Sequence, residues 1–331
     1  MIGKANGRPV GITGLGVNVP AKVVTNADLA KLVDTTDEWI VERTGIRERR
    51  FAEQDEALTD IALPAARDAL AQAGVEAESL DLVLCATVTP DMMFPTSSAL
   101  LADALGARDA AAYDLLAGCT GFVYAIAQAY GMIASGLSHR VLVVGGDVLS
   151  KILDFEDRST LVLFGDGAGA VVLEPVGKGG FLGFELGADG GGGESLWLPG
   201  SGSRYFEDPH KFVKMNGREV FKFATRVLVS SASELLDELG MTVDDVDVYV
   251  PHQANVRIID HAARKLGFPP EKVVVNVDRY GNTSSGSIPL ALADAIADGR
   301  LRQGSRVLLT GMGAGLTWGS SLIEWTEEMA A

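Results

Sequence analysis

Of the two cysteines in the chain, Cys119 alone stands where a sulfur could react. Its neighbours Ala117, Gly118, Thr120 and Gly121 are small enough to let a thioester approach closely. A long apolar stretch follows, so Cys119 is expected at a helix start, where the macrodipole supplies roughly half a positive charge. That field favours thiolate, since bringing a thiol from about 8.5 toward 7 takes only about 2 kcal/mol. Backbone N–H groups at the same turn are suited to an oxyanion. Cys85, inside the apolar run Leu82–Ala86, reads instead as a small buried hydrophobe. His252 lies in Val250-Pro-His-Gln-Ala-Asn255 and Asn282 in Tyr280-Gly-Asn-Thr-Ser284. Alone, the first reads as a cap or packing residue and the second as a turn or N-cap residue. Combined with Cys119 they make a thiolate and two neutral donors, which suits thioester chemistry in which an enolate oxygen must be held. His139, His210 and His261 show no paired ligand spacing, so no metal site is expected.

Such residues need elements to hold them, and the chain supplies those elements twice. Leu70-Ala-Gln-Ala-Gly74, then Asp81-Leu-Val-Leu-Cys-Ala86, lines up with Leu236-Asp-Glu-Leu-Gly240, then Asp247-Val-Tyr-Val-Pro-His252, at an offset of 166 residues. Gly118-Cys-Thr120 matches Gly281-Asn-Thr283 at 163, and Val141-Leu-Val-Val returns to 166 as Val307-Leu-Leu-Thr. Each unit reads as helix, strand, connection, strand, buried helix, strand. The runs Leu82–Leu84, Ala111–Leu116, Val141–Val144, Val246–Val250, Val273–Val277 and Val307–Leu309 suit strands covered on both faces. Two such units stacked would sandwich helices between sheets, with residues 1–176 as one half and 177–331 as the other. The Gly-rich stretch Gly177–Gly217 is expected to join the halves through surface loops, and Arg218–Leu239 to form a helix. The expected places of Cys119, His252 and Asn282 are the carboxyl ends of strands, where open α/β sheets take their ligands.

Composition removes several classes of function. The chain has 331 residues, 28 Lys/Arg against 44 Asp/Glu, and a formal charge of −16, which argues against a nucleic-acid partner. A hydrophobic share of 47% with 22% charged residues is a globular balance, not that of a disordered chain. The uncharged stretch Leu115–His139 is long enough for a membrane helix, but Gly118, Thr120, Gly121, Gln128, Gly131, Ser135 and Gly136 dilute it. It reads better as a buried helix between strands, and no membrane association is expected. Two cysteines and an N-terminus without an apolar signal region point to the cytoplasm. Gly11-Ile-Thr-Gly-Leu-Gly16 has the wrong spacing for a dinucleotide loop, and Gly165-Asp-Gly-Ala-Gly169 reads as a tight turn.

The motifs together resemble β-ketoacyl-acyl-carrier-protein synthase III, the initiating condensing enzyme of fatty acid synthesis. They are Thr36-Asp-Glu-Trp-Ile-Val-Glu-Arg-Thr-Gly-Ile-Arg47, Ala117-Gly-Cys-Thr-Gly-Phe122, Phe164-Gly-Asp-Gly-Ala-Gly-Ala170, Val250–Asn255, Tyr280–Ser284 and Gly313-Ala-Gly-Leu-Thr-Trp-Gly319. The resemblance implies an α/β thiolase-like fold, two duplicated halves in an α-β-α-β-α sandwich. It further implies that Cys119 takes an acyl group from a short acyl-CoA such as acetyl-CoA. Malonyl-acyl-carrier protein then enters, with His252 and Asn282 holding its thioester oxygen through decarboxylation. By the same correspondence, the backbones of Cys119 and Ala314 form an oxyanion hole. Trp39, Arg43 and Arg158 hold CoA, itself a substrate, and no cofactor is implied. Phe94, reaching across a homodimer interface, and Met312 border the acyl pocket. Lys222, Gln253, Ala254, Asn255, Val256, Arg257, Arg264 and Lys265 are implied to meet the carrier protein, with the basic members forming a patch on an otherwise acidic enzyme.

The chain departs from the family in carrying Met312 where many members have Phe, and Ala314 where they have Gly. A thiolase would need a second cysteine near Met312, and chain-elongating synthases a histidine in place of Asn282. A secondary-metabolism relative with another acceptor, and a non-catalytic scaffold that binds carrier protein, remain as alternatives.

Overall fold

The computed structural model describes residues 1–326 apart from Phe206, Asp208 and Pro209. Two five-stranded sheets form its frame. The strands in them are β1 (Ile2–Lys4), β2 (Val10–Asn18), β3 (Leu82–Ala86), β4 (Ala111–Leu115), β5 (Val141–Asp147), β6 (Gly167–Pro175), β7 (Gly180–Ala188), β8 (Val248–Pro251), β9 (Arg306–Gly313) and β10 (Thr317–Glu324). One sheet runs β2-β6-β5-β3-β4 and the other β1-β7-β10-β9-β8. The repeat predicts their correspondence: β3 lies parallel to β5 as β8 does to β9, and each pair continues into an antiparallel neighbour.

The helices are α1 (Asp37–Thr44), α2 (Leu58–Ala73), α3 (Ser97–Leu105), α4 (Gly121–Ala134), α5 (Gly217–Leu239), α6 (Val256–Leu266) and α7 (Ser287–Ala297). Helices α4 and α7 lie between the sheets, with Phe122, Ile126, Ile288 and Leu292 at 1% exposure or less. They can be apolar on every side because sheet covers them above and below. Helices α2 and α3 pack outside the first sheet and α5 outside the second, completing the α-β-α-β-α sandwich. The Leu115–His139 stretch is therefore a strand end, a turn and α4. No helix among the described residues is long and apolar enough to cross a membrane.

Glycine sets how tightly these layers meet. A Cβ on Gly14 or Gly16 would lie 2.1 Å from a carbonyl oxygen of α2, Ala69 and Ala65 respectively. The Gly11–Gly16 segment is thus strand β2 pressed against a helix backbone.

Three expectations are corrected. Val273–Val277 makes a single parallel bridge between Val273 and Tyr249 and no strand. After Val274 the chain turns inward, where the Asn276 N–H donates to Gln253 Oε1 and Val277 starts a helical turn. Gly177–Gly217 is not only loops, since it contains the nine-residue strand β7, with Phe181 in the core. The presumed tight turn at Gly165–Gly169 is already strand from Gly167, and a Cβ at Gly169 would sit 2.4 Å from Pro289 of α7.

Candidate active site

Cys119 sits in a short 3-10 turn, Gly118–Thr120, that leads directly into α4. Gly118 has φ +56°, in the left-handed region that glycine tolerates best. A Cβ there would meet the Ala314 nitrogen at 2.6 Å, and one on Gly313 would meet the Cys119 nitrogen at 2.4 Å. The Gly313–Thr317 hairpin is stitched to this turn: Thr317 Oγ1 donates to the Ala117 carbonyl at 2.8 Å, and Thr120 Oγ1 to the Thr317 carbonyl at 3.2 Å. The backbones of Cys119 and Ala314 are thereby brought side by side.

His252 directly follows β8 and is wholly buried. It does not open a helix; α6 starts at Val256, capped by the Asn255 side chain. Its Nδ1 lies 2.5 Å from Ser287 Oγ, which also accepts the Gln253 N–H at 3.3 Å. With the Ser287 hydroxyl donating to Nδ1, the neutral imidazole carries its proton on Nε2, and this is the tautomer we assign. Nε2 is buried with no partner among protein groups, so it is a donor held ready for a ligand. Asn282 follows the helical turn Val277–Tyr280, and its Oδ1 accepts the Ser284 N–H at 2.8 Å, leaving the amide nitrogen for the sulfur. The two halves are locked here by Asp147. This buried carboxylate accepts hydrogen bonds from Thr87, Val88, Thr89 and Ser285.

Cys119, His252 and Asn282 line one cavity of about 250 Å³. It opens toward Trp39 and Arg43, with Arg257 on its rim. The Trp39 ring has the Arg158 guanidinium 4.7 Å from its centroid and that of Arg43 at 5.0 Å. A second cavity of about 400 Å³ also borders Cys119 and is mainly apolar, with Val88, Leu116, Leu149, Ile152 and Leu198 among its walls.

Burial pushes the Cys119 thiol up to about 12, although Ser284 and Asn282 beside the sulfur pull it down and Asp147 adds to the rise. The expected resting thiolate is thus corrected: the helix start faces a site too dry to hold a bare charge. Burial also holds His252 down at about 3, so imidazole and thiol face the cavity uncharged. Alkylation of the free protein by iodoacetamide should therefore quicken by about tenfold per pH unit from about pH 7 to 10. A plateau below about pH 8.5 would show that the helix field prevails.

Other implied residues sort differently. Met312, expected at the acyl pocket, lines the entry cavity beside His252 and not the apolar chamber. Phe94 is 83% exposed and touches neither cavity within one chain. Gln253 is turned inward, donating to the Pro251 and Val274 carbonyls, so its side chain offers no surface to a carrier protein. Ala254 and Asn255 line the cavity, and Val256 packs where a Cβ on Gly45 would lie 2.7 Å away. Arg264 and Lys265 are exposed two turns along α6 from Arg257, while Lys222 pairs with Glu219 at 2.9 Å. Sequence reasoning missed Ser284, Ser287, Asp147 and Arg49. The run Ser284-Ser-Gly-Ser287 reads as turn chemistry, although Ser284 adopts φ +51°, rare outside glycine. No group of three or more His, Cys, Asp or Glu among the described residues could hold a metal ion.

Comparison with known proteins is consistent from end to end. Residues 113–190 match the 3-oxoacyl-[acyl-carrier-protein] synthase III family model, and 236–325 match the model of its C-terminal part. A beta-ketoacyl-[acyl-carrier-protein] synthase III of Symbiobacterium thermophilum is 54% identical over 96% of this chain and 98% of its own. The crystal structure of the enzyme from Thermus thermophilus superposes with a TM-score of 0.91 at 50% identity, covering 95% of this chain and 99% of that one. The priming β-ketosynthase of the R1128 polyketide pathway also gives 0.91, at 39% identity over 97% of this chain and 98% of its own. With this doubled frame and identities of about half carried over nearly the whole of both chains, the chain belongs to the β-ketoacyl-[acyl-carrier-protein] synthase III family.

Proposed function

We infer that the protein condenses a short acyl-CoA with malonyl-acyl-carrier protein, giving 3-oxoacyl-acyl-carrier protein, CoA and CO₂. The observation that carries this reading is the single cavity shared by Cys119, His252 and Asn282, with an apolar chamber that also borders Cys119. The Cys119 sulfur attacks the acyl-CoA carbonyl, the carbon–sulfur bond to CoA breaks, and the thiol proton leaves on CoA. A thiol that is protonated at rest fits this exchange, because no net proton has to be stored.

Malonyl thioester then enters the same cavity. Loss of CO₂ leaves an enolate whose oxygen accepts from His252 Nε2, the tautomer assigned above, and from the Asn282 amide, whose oxygen is already occupied by the Ser284 N–H. The enolate carbon attacks the acyl carbonyl on Cys119. The tetrahedral oxyanion is met by the N–H groups of Cys119 and Ala314, and collapse breaks its carbon–sulfur bond and releases the sulfur as thiolate, which takes one proton from solvent to restore the thiol. Each preorganised donor lowers such a barrier by about 3 kcal/mol. No step draws on a metal or resident cofactor.

Trp39 and Arg158 would receive the CoA adenine, with Arg43 alongside, since guanidinium and indole both stack on a flat base. Trp39→Ala should raise KM for acyl-CoA by about tenfold while leaving kcat within about twofold, as measured by initial rates. An unchanged KM would remove the nucleotide from this surface. Arg257, Arg264, Lys265 and Lys222 are the cationic side chains we assign to the acidic carrier. Phe94 would close the acyl chamber of a partner in a homodimer. Residues 1–176 and 177–331 act as the two halves, one supplying the sulfur and the other its donors. Both cysteines are free thiols, which suits a reducing cytoplasm.

The test is to incubate the protein with a panel of acyl-CoAs and record intact mass with peptide mapping. Acylation at Cys119 is expected. No adduct with any acyl-CoA would favour the scaffold reading. A second reading, priming of a secondary pathway, draws on the likeness to the R1128 β-ketosynthase and is separated by assaying which carrier protein accepts the product.

A further inference from the structure

Arg49 is fully buried, yet it pairs with no carboxylate among the described residues. Burying a guanidinium without a counter-ion is costly, and three protein oxygens meet it here. Arg49 Nη1 donates to the Val24 carbonyl at 3.3 Å and to Asn26 Oδ1 at 2.8 Å, and Nη2 donates to the Val162 carbonyl at 3.0 Å. Its Nε has no partner. Burial lowers its pKa to about 10, so it remains charged at neutral pH.

Two of the three acceptors, Asn26 and Val162, connect to the elements that carry Trp39 and Arg158. Asn26 passes the contact on, its Nδ2 donating to Asp37 Oδ1 at 2.7 Å and to the Ile46 carbonyl at 2.8 Å. Asp37 is the first residue of α1 and Ile46 follows its end, so Asn26 grips at both ends the helix that carries Trp39 and Arg43. Val162 caps the single helical turn that begins with Arg158. Arg158 in turn donates to the Asp34 carbonyl at 2.7 Å, closing a loop of contacts around the aromatic surface.

We propose that Arg49 is a positioning residue that fixes α1 and the 158–162 segment relative to one another, and thereby how Trp39 and Arg158, whose guanidinium lies 4.7 Å from the indole centroid, are presented to the nucleotide end of acyl-CoA. This rests on the reading that Trp39 and Arg158 take that nucleotide. Arg49 touches neither the entry cavity nor the apolar chamber. The tether acts on the position of α1 against the 158–162 segment, and recognition by a stacked pair responds steeply to small shifts in its members.

The experiment compares acylation of Cys119 by acetyl-CoA with acylation by acetyl N-acetylcysteamine, a thioester that lacks the nucleotide. Arg49→Met keeps the stem that packs against Gly165 and Gly281 but removes all three tethers. It should raise KM for acetyl-CoA by about tenfold and leave the truncated thioester within about twofold of wild type. Arg49→Lys, which retains a buried donor, should recover part of the loss. Equal loss with both thioesters, or no loss with either, overturns the proposal, since a merely structural role damages both alike. Should Arg49→Met fail to fold, Asn26→Asp decides. It keeps size and the bond to Arg49 but loses both amide donations, so it should show the same CoA-selective loss, and an equal loss overturns the proposal. Trp39→Ala, run in parallel, separates the two ideas. If it does not alter the preference for acetyl-CoA, the clamp reading itself fails and the role of Arg49 falls with it.

Discussion

Replacing Cys119 with alanine should abolish acyl transfer from CoA, with no mass adduct on the protein and condensation reduced by at least about 10⁴-fold. Decarboxylation of malonyl-carrier protein should survive, because His252, Ser287 and Asn282 do not depend on the sulfur for their places. The variant should fold normally, since the thiol is small, sits at 8% exposure and holds no part of the sheet frame. Rates of CO₂ release and acyl-protein formation, measured on one preparation, settle the matter. If both rates persist, Cys119 is a packing residue and the acyl group is carried by another side chain; if the wild-type protein shows neither rate, the scaffold reading stands. If both vanish, the sulfur and the donors form one unit that cannot be separated, and the division of labour assigned to the two halves is wrong.

His252→Ala should produce the opposite pattern. Acylation of Cys119 is expected within about threefold of wild type, while decarboxylation falls by about 10² to 10³-fold, the loss for one oriented donor in a dry site. A comparable fall in both steps would make His252 the acceptor of the thiol proton. The imidazole also leaves a mark on stability. Burial lowers its pKa from 6.5 to about 3, so the unfolded chain takes up a proton that the folded one refuses. The stability that the neutral ring contributes is complete above about pH 6.5 and is lost as pH falls toward about 3. His252→Ala should flatten that part of the acid unfolding profile, as followed by the midpoint of thermal unfolding.

Much of this arrangement is legible in the chain because duplication leaves a strong trace. The offset between Gly74 and Gly240 places β3 opposite β8, and the match of Cys119 with Asn282 brings nucleophile and donor to related turns. Trp39 is legible through its motif, and the structure places the Arg158 guanidinium directly on its ring. The errors have physical causes. Val273–Val277 has the composition of a strand, but the inward hydrogen bond of Asn276 to Gln253 takes the chain off the edge, and no local propensity encodes that partner. Glycines at 177–187 suggest loops, whereas several serve close packing between strands and neighbouring elements. The thiol misleads because helix position is visible in sequence and desolvation is not. Arg49 hides for a similar reason: in a run of four polar residues, Arg47–Arg50, nothing marks the one that turns inward.

The entry cavity has a last consequence. A void of about 250 Å³ has room for one thioester arm, and Trp39, Cys119 and His252 all border it. CoA must vacate before the second donor can come in, so the two half-reactions take turns through a shared doorway. Abundant acyl-CoA would then obstruct its own follow-on partner, and throughput would depend on the ratio of the two pools as much as on either concentration.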